Sequence, residues 1–386
     1  MLPKNLSSEK FLSEYWQKKP LLIKNAFLDF RDPISPEELA GLACEEEVES
    51  RLVFNEKDTW RLQNGPFSEQ DFTSLPNEHW SLLVQAVDQW LPKVKKLLAG
   101  IKFIPDWRLD DVMVSYATEK AGIGPHFDYY DVIIIQGQGQ RHWQLGQRCD
   151  HLSNLRKDSE LKILQEFYVT EEFTLESGDA LYIPPGIAHQ GTSLNDSLSY
   201  SIGFRAPSYS EIISQYAASL CAEVTEDQRY KDSDLNLQNN TAEISEESVL
   251  RMKSLLLDLL QNEQEIEQWF GRHMTQRKYP ELSYSPEIEF TPEIFAEALA
   301  NGLTLEKHPA ARLAFYQKNE TLYLFADGEA FSVDQNNEDS TALLAKLCDK
   351  NTSLVNCLAY QSNQDCISLL CKLYNQGTLI ETEELH

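Results

Sequence analysis

The chain has seven cysteines, scattered at 44, 149, 221, 348, 357, 366 and 371, and no Cys-x-x-Cys pair. That spacing offers neither a zinc cage nor a disulfide framework, and small buried thiols fit it better. No apolar run reaches membrane-spanning length, and the N-terminal MLPKNLSSEKFLSEYW has no apolar stretch of the signal-peptide kind. A cytoplasmic protein with no membrane contact is expected. Positive charge is also scarce: 34 Lys and Arg face 61 Asp and Glu, a net charge of −27. Phosphate backbones are bound by clustered Lys and Arg, so this balance disfavours direct nucleic-acid binding. An acidic field attracts a basic partner instead.

With 386 residues the chain has room for two or three domains. Ser7 or Ser8 caps a first helix carrying Phe11, Leu12, Tyr15 and Trp16, and Pro20 stops it before a short strand, Leu21-Leu22-Ile23. Ser35-Pro36 opens another helix, and 51–63 alternates like a hairpin. The apolar spacing of Trp80–Leu98 predicts one amphipathic helix. From Trp107 to Arg205 short strands are predicted at 112–116, 130–136, 141–145, 167–175, 180–183 and 199–204. Gly- and Pro-bearing turns separate them, the pattern of a β-sandwich or barrel. Beyond Pro207 two helices are predicted, 210–224 and 245–270, around a polar loop at 225–240. Pro280, Pro286 and Pro292 mark 278–292 as a linker. The remainder mixes short helices with a hairpin turned at Asp327-Gly328, which suits a winged-helix-like module. Acidic residues outnumber basic ones there, so a structural or protein-contact role fits better than DNA binding. The expected division is 1–207, 208–290 and 291–386.

The chemistry concentrates in Gly124–Gly146, GPHFDYYDVIIIQGQGQRHWQLG. His126 and Asp128 stand two apart, so on a strand they share a face. A His-x-Asp alone is more often structural. Here a third ligand follows: His189 in IPPGIAHQG, behind a strand and a rigid Pro-Pro-Gly turn. Two neutral nitrogens and one carboxylate on one face hold Fe(II) and leave positions open, although zinc, manganese or nickel fit the same donors. Arg141 lies across the Gly137–Gly139 turn. Inside a barrel a guanidinium needs an anion, and its planar fork suits the carboxylate of a dicarboxylate cosubstrate. The alternative is an Arg141 that faces outward between Gln140 and His142. Ser115, on the first of the predicted strands, is a hydroxyl placed to help hold the same carboxylate. Asp110, Asp111, Tyr130 and Asp131 are expected near the cavity mouth, where a solvated face explains them as well.

Taken together, these residues resemble the JmjC-type 2-oxoglutarate and Fe(II)-dependent oxygenases. Within that class the chain is similar to the bacterial ribosomal oxygenases, arginine hydroxylases of a large-subunit ribosomal protein. The resemblance is carried by FLSEYWQKKPLLIKNAF, DPISPEELAGLA (32–43), WSLLVQAVDQW (80–90), IPDWRLDDVMVSY (104–116), Gly124–Gly146, GDALYIPPGIAHQG (178–191) and SYSIGFRAPS (199–208). It is strong over 1–210 and looser from 211 to 386. It implies an α+β protein. The core would be a double-stranded β-helix (jelly-roll, cupin-like) with N-terminal helices, followed by a helical dimerisation region and a C-terminal winged-helix-like domain. His126, Asp128 and His189 match the iron ligands; Arg141 matches the residue that binds the distal carboxylate of 2-oxoglutarate, and Ser115 its hydroxyl helper. No catalytic residue beyond the metal centre is implied. Fe(II), 2-oxoglutarate and O2 would be required, and the chain would act as a homodimer on a basic large-subunit ribosomal protein. Two other readings compete with that one. One is an oxygenase acting on a histidyl or lysyl residue; the other is a JmjC-like docking module that binds metal without catalysis.

Overall fold

The computed structural model describes residues 6–282, 284–349, 352 and 354–382. The ends of the first and last expected domains, 1–5 and 383–386, lie outside the described residues. The chain opens with α1 (Ser8–Glu14), β1 (Leu21–Ile23) and α2 (Pro36–Leu42). A hairpin follows, β2 (Ser50–Glu56) with β3 (Thr59–Asn64), then α3 (Glu69–Thr73), β4 (Trp80–Val84), α4 (Val87–Trp90) and α5 (Pro92–Lys95). Seven strands complete the first core: β5 (Leu109–Ala117), β6 (Val132–Gln136), β7 (Arg141–Arg148), β8 (Glu171–Leu175), β9 (Ala180–Ile183), β10 (Ile187–Ser193) and β11 (Ser197–Phe204).

These strands form a double-stranded β-helix. The major sheet has the order β1-β9-β6-β11-β5-β4-β2-β3, and the minor sheet β10-β7-β8, with antiparallel pairing throughout. The run Val132-Ile133-Ile134-Ile135 is apolar at every position because β6 is buried on both faces. Val132 and Ile134 meet Trp143, Leu145, Leu175 and Leu181 between the sheets. Ile133 and Ile135 pack outward with Phe11, Leu39, Val94 and Tyr182 in a cluster that takes in α1, α2 and α5.

The single helix expected over Trp80–Leu98 is not formed. Ser81–Val84 is a central strand, hydrogen-bonded to β2 and β5 and buried on both sides. A short, wholly apolar run reads alike as buried helix or buried strand. Ala86, held at φ 52°, ends it, and Pro92 starts a new helix. The predicted strand 167–175 begins only at Glu171, because Phe167 packs its ring on Gly146. The strand expected from Tyr130 starts at Val132.

After the β-core come α6 (Tyr209–Glu223), α7 (Glu246–Leu259) and α8 (Glu263–Thr275). The expected helix 245–270 is two helices, since Asn262 caps a fresh start by accepting from the Glu265 N–H at 3.3 Å. The C-terminal core contains α9 (Pro292–Ala300), β12 (Leu305–Lys307), β13 (Leu313–Lys318), β14 (Thr321–Ala326), β15 (Glu329–Ser332), α10 (Glu338–Leu347), β16 (Leu354–Val355), α11 (Gln364–Asn375) and β17 (Leu379–Glu381). It is a winged-helix arrangement around Phe295, Leu299, Leu324, Leu343 and Leu370. α8 rests on its sheet: Gln264 and Gln268 both donate to the Tyr323 hydroxyl, and Gly271 leaves the space that the Phe325 ring fills.

Cations tie this C-terminal part to the β-core. Arg205, at the end of β11, donates to the carbonyls of Met274 at 2.8 Å and Gln276 at 2.6 Å. Arg312 donates to the Leu109 carbonyl at 2.9 Å and to Asp110, while Lys95 reaches the Pro309 carbonyl at 2.6 Å. The segment after α8 is thereby pinned over one end of the β-helix.

Candidate metal centre and cosubstrate cradle

His126 and Asp128 lie just before β6 in irregular chain, not in a strand as the spacing suggested. An isolated bridge joins His126 to His189 on β10: His126 N–H donates to the His189 carbonyl at 3.0 Å, and His189 N–H donates back at 2.8 Å. The Gly186 N–H, in the Pro-Pro-Gly turn, donates to the Asp128 carbonyl at 2.7 Å. Backbone pairing thus registers the two sequence-distant segments against each other. The donor atoms of His126, Asp128 and His189 all lie within 4.8 Å of one another.

Each imidazole is fixed from behind. The His126 Nδ1 sits 2.9 Å from the Gly124 carbonyl, and the His189 Nδ1 sits 2.9 Å from the Ile187 carbonyl. A carbonyl only accepts, so each Nδ1 donates there and leaves its Nε2 free as a ligand; the His189 Nε2 lies 3.6 Å from Asp128 Oδ2. Burial, with His126 alongside, pushes His189 down to about 4, so it is a neutral ligand. Burial and the adjacent Asp128 carboxylate push the Tyr130 phenol well up, so it stays a donor beside the triad. Two neutral nitrogens, one anionic oxygen and an open side are a donor set that fits Fe(II). The open side is a cavity of about 900 Å³, walled by Met113, Val132, Ile134 and Trp143.

Arg141 points inward. β7 places Arg141, Trp143 and Leu145 on the interior face, while His142 turns out beside Glu172. Its guanidinium is fully buried: Nε donates to Ser197 Oγ at 2.9 Å, and Nη1 to Ser115 Oγ at 2.8 Å and Ser199 Oγ at 2.6 Å. Nη2 donates to the carbonyls of Ser115 and Ser197. Every partner is neutral, and among the described residues no carboxylate pairs with it. Burial alone pushes its acidity constant to about 9, which keeps it a cation at neutral pH. A buried cation without a counter-ion is costly, and a dicarboxylate is the group that relieves that cost. Its register partner on β10 is Ser193, four residues beyond His189, about 13 Å along the strand.

Ser197, Ser199 and Ser193 were not singled out from the sequence. A signal was present: SLSYS alternates serine along β11 where apolar residues are the rule, so Ser197 and Ser199 share a face. Asp131 is a correction. It is wholly buried away from the cavity, accepting from Tyr182 Oη at 2.6 Å and Gln17 at 3.0 Å, because β1 and the N-terminal helix cover it. Asp110, Asp111 and Tyr130 do line the cavity, as do His273, Met274, Gln276, Arg277 and Lys278. Lys278 and its neighbours were read as linker, and no local sequence feature assigns them to the wall.

Comparison with known proteins agrees with this geometry. The JmjC domain family matches residues 96–212, and the ROXA-like winged helix matches 258–379. The chain is 38% identical to the ribosomal protein uL16 3-hydroxylase of Escherichia coli, over 76% of this chain and 78% of that protein. It is 34% identical to a probable ribosomal oxygenase of Haemophilus influenzae, over 90% of this chain and 87% of that one. A crystal structure of E. coli YcfD superposes with a TM-score of 0.86 at 32% identity, covering 99% of this chain and all 100% of that one. A second, of YcfD described as a ribosomal oxygenase in complex with cobalt and 2-oxoglutarate, gives 0.83 at 32% identity over 97% and 98% of the two chains.

Proposed function

The chain belongs to the bacterial ribosomal oxygenases of the JmjC class, and on that premise we propose that it hydroxylates an arginyl side chain of the large-subunit ribosomal protein uL16. It is an Fe(II)- and 2-oxoglutarate-dependent dioxygenase. The observation that carries the reading is Arg141, a buried guanidinium surrounded by serines with no carboxylate partner among the described residues, on the strand paired with the one that carries His189 of the His-Asp-His cluster.

In this reading His126, Asp128 and His189 hold Fe(II) on one face, and Arg141 with Ser115, Ser197 and Ser199 holds the far carboxylate of 2-oxoglutarate. When bound, the iron and its cosubstrate supply the oxidising power: 2-oxoglutarate and O2 become succinate and CO2 as one oxygen atom enters a C–H bond. The chain's own task is positional. The Nδ1 tethers keep both imidazoles aimed. The apolar walls of Val132, Ile134 and Trp143 keep bulk water from the reacting centre. Ribosomal proteins from cells with and without this chain, compared by mass spectrometry, should differ by one oxygen atom on one arginine of uL16. An identical arginine in both would remove the substrate assignment, and a change on a histidyl or lysyl residue would redirect it. Iron-dependent succinate formation separates all of these from a docking module. A ribosomal protein as substrate puts the proposed reaction in the cytoplasm.

We propose the division 1–207 for the catalytic unit, 208–290 for the helical region and linker, and 291–386 for the C-terminal unit, with α8 docked on the last. We also propose a homodimer. α7 buries none of its side chains within the chain, while Val249, Leu250, Leu256, Leu257 and Leu260 are each about half exposed. An apolar face of that extent is characteristic of a subunit contact, and an isologous pairing lets the same face cover itself. Leu256→Glu with Leu257→Glu is expected to give a monomer in sedimentation analysis. An unchanged dimer would place the contact elsewhere, and a wild-type monomer would remove it.

A further inference from the structure

Building on the proposal of a ribosomal-protein substrate, we propose that the free edge of β3 receives the substrate chain. An extended, basic stretch of uL16 beside the target arginine adds to the major sheet as one more strand, and an acidic groove beyond Asn64 takes its basic side chains.

β3 is the last strand of the major sheet. In an antiparallel pair the backbone groups alternate between the partner strand and the opposite side. The Gly65 N–H donates to the Ser50 carbonyl at 2.9 Å, and on the other side of β2 the Asn55 N–H donates to the His79 carbonyl at 2.9 Å. Ser50, Leu52 and Phe54 therefore turn their backbone toward β3, where Gln63 and Arg61 stand opposite Leu52 and Phe54. Trp60, Leu62 and Asn64 are left with N–H and C=O directed away from the sheet. Among the described residues none of those groups has a hydrogen-bond partner.

Natural edges are guarded by proline, a bulge, charge or extreme shortness. β3 has six residues, runs against β2 without a register shift, contains no proline and has one charged side chain, Arg61. That arginine lies over the Phe54 ring, 3.9 Å from its centre. The opposite edge of the same sheet, β1, is three residues long, and the β8 edge of the minor sheet begins with Glu171 and Glu172. The unguarded edge is thus the one beside the catalytic cavity. Leu62 lines that cavity with its side chain, and the Trp60 ring lies against Gly124, two residues before His126. A strand laid on β3 would stand about 4.8 Å from it and turn every second side chain to the cavity's side.

Charge identifies the occupant. Where β3 ends and the segment of Tyr279 passes, a groove of about 570 Å³ opens. Glu46, Glu47, Glu49 and Glu281 line it, all four exposed, and no lysine or arginine does. Glu49 lines the catalytic cavity as well, so groove and cavity adjoin. Main-chain bonds to β3 would hold any extended chain, and the carboxylates select a basic one.

The test compares Asn64→Pro with Asn64→Ala in hydroxylation of purified uL16 by the full chain. Proline removes one outward N–H and no bond to β2, whereas alanine trims the same side chain and keeps that N–H. Asn64→Pro is expected to raise the KM for uL16 about three- to tenfold above Asn64→Ala, the worth of one hydrogen bond, with equal kcat and equal 2-oxoglutarate requirement. An equal KM for uL16 in the two variants overturns the proposal. If Asn64→Pro does not fold, as read by circular dichroism, residue-resolved hydrogen exchange of the wild type decides. Loaded with Fe(II) and 2-oxoglutarate under argon, its Trp60, Leu62 and Asn64 amides should exchange about tenfold more slowly once uL16 is added. Unchanged exchange overturns the proposal. Slow exchange already present without uL16 and lost on dilution also overturns it, because a second copy of the chain would then hold the edge. A wild type that leaves uL16 unoxidised removes the activity and this occupant together, whereas an unaffected KM with uL16 hydroxylation intact removes the β3 edge alone.

Discussion

Asp128→Ala is expected to abolish hydroxylation of the ribosomal protein and substrate-linked succinate formation together. Loss of a mere hydrogen-bond partner of a metal ligand costs about 10–100-fold, so removing a ligand should exceed that range. The two imidazoles alone cannot compensate. Their ring centres are 4.3 Å apart and their tethers to Gly124 and Ile187 fix them, so neither can swing into the empty corner. The carboxylate also supplies the one negative charge in the donor set. His126→Ala should behave alike. The fold should survive: Asp128 is 24% exposed, and its backbone link to Gly186 does not involve the side chain. A melting curve close to that of the wild type would separate lost chemistry from lost structure. Retained full turnover in either variant would sink the iron assignment.

The cavity has two sources in the chain, and this shapes what a substrate meets. One wall is β-core: Met113, Val132, Ile134 and Trp143. The other is His273 to Lys278, carried by α8 and held down by Arg205 through the backbone carbonyls of Met274 and Gln276. α8 in turn sits on β13–β15 through Tyr323 and Gly271. The winged-helix part therefore sets the position of one wall of the cavity. Its acidic balance and its use as a brace both fit protein contact better than nucleic-acid binding.

What the sequence disclosed follows from how local each signal is. His-x-Asp, the Pro-Pro-Gly turn before His189, and an arginine behind a Gly-rich turn are short-range patterns whose chemistry depends on residue type. The first two bring their donor atoms within 4.8 Å of one another, and Arg141 lies on the strand paired with that of His189, about 13 Å along it. β6 was legible because four consecutive branched residues have few other uses. Trp80–Val84 was misread because a strand buried on both faces has no period, and only its pairing with β2 and β5 distinguishes it from a helix turn. Asp131 and Lys278 failed for the same kind of reason. Whether an exposed-looking acid is covered by an N-terminal helix, or a linker lysine lies on a cavity wall, depends on contacts across more than a hundred residues. The serines of β11 lie between these cases: the alternation was visible, and only the arginine opposite them gives it meaning.

Arg141→Met should separate cosubstrate binding from folding. Truncating one partner of a buried, hydrogen-bonded charge pair costs about 2–5 kcal/mol, roughly thirtyfold to several thousandfold in the 2-oxoglutarate requirement. Hydroxylation should largely return at saturating 2-oxoglutarate, since the metal donors are untouched. Stability of the cosubstrate-free protein should move the other way or not at all. The wild-type guanidinium is buried with no counter-ion among the described residues, and replacing such a charge by an apolar group of similar length is neutral or stabilising. The serines it leaves have one another: Ser115 Oγ lies 3.0 Å from Ser199 Oγ, and Ser193 Oγ lies 2.8 Å from Ser197 Oγ. The wild type should gain melting temperature with added 2-oxoglutarate, by mass action on the folded state, and the variant should lose that gain. An unchanged 2-oxoglutarate requirement would remove Arg141 from the cradle. A variant that melts far below the wild type before any ligand is added would mean that the guanidinium braces β7 against β5 and β11. The opposite pairing, a weakened cosubstrate response on an undiminished fold, is what a cation held in place for an absent anion must give.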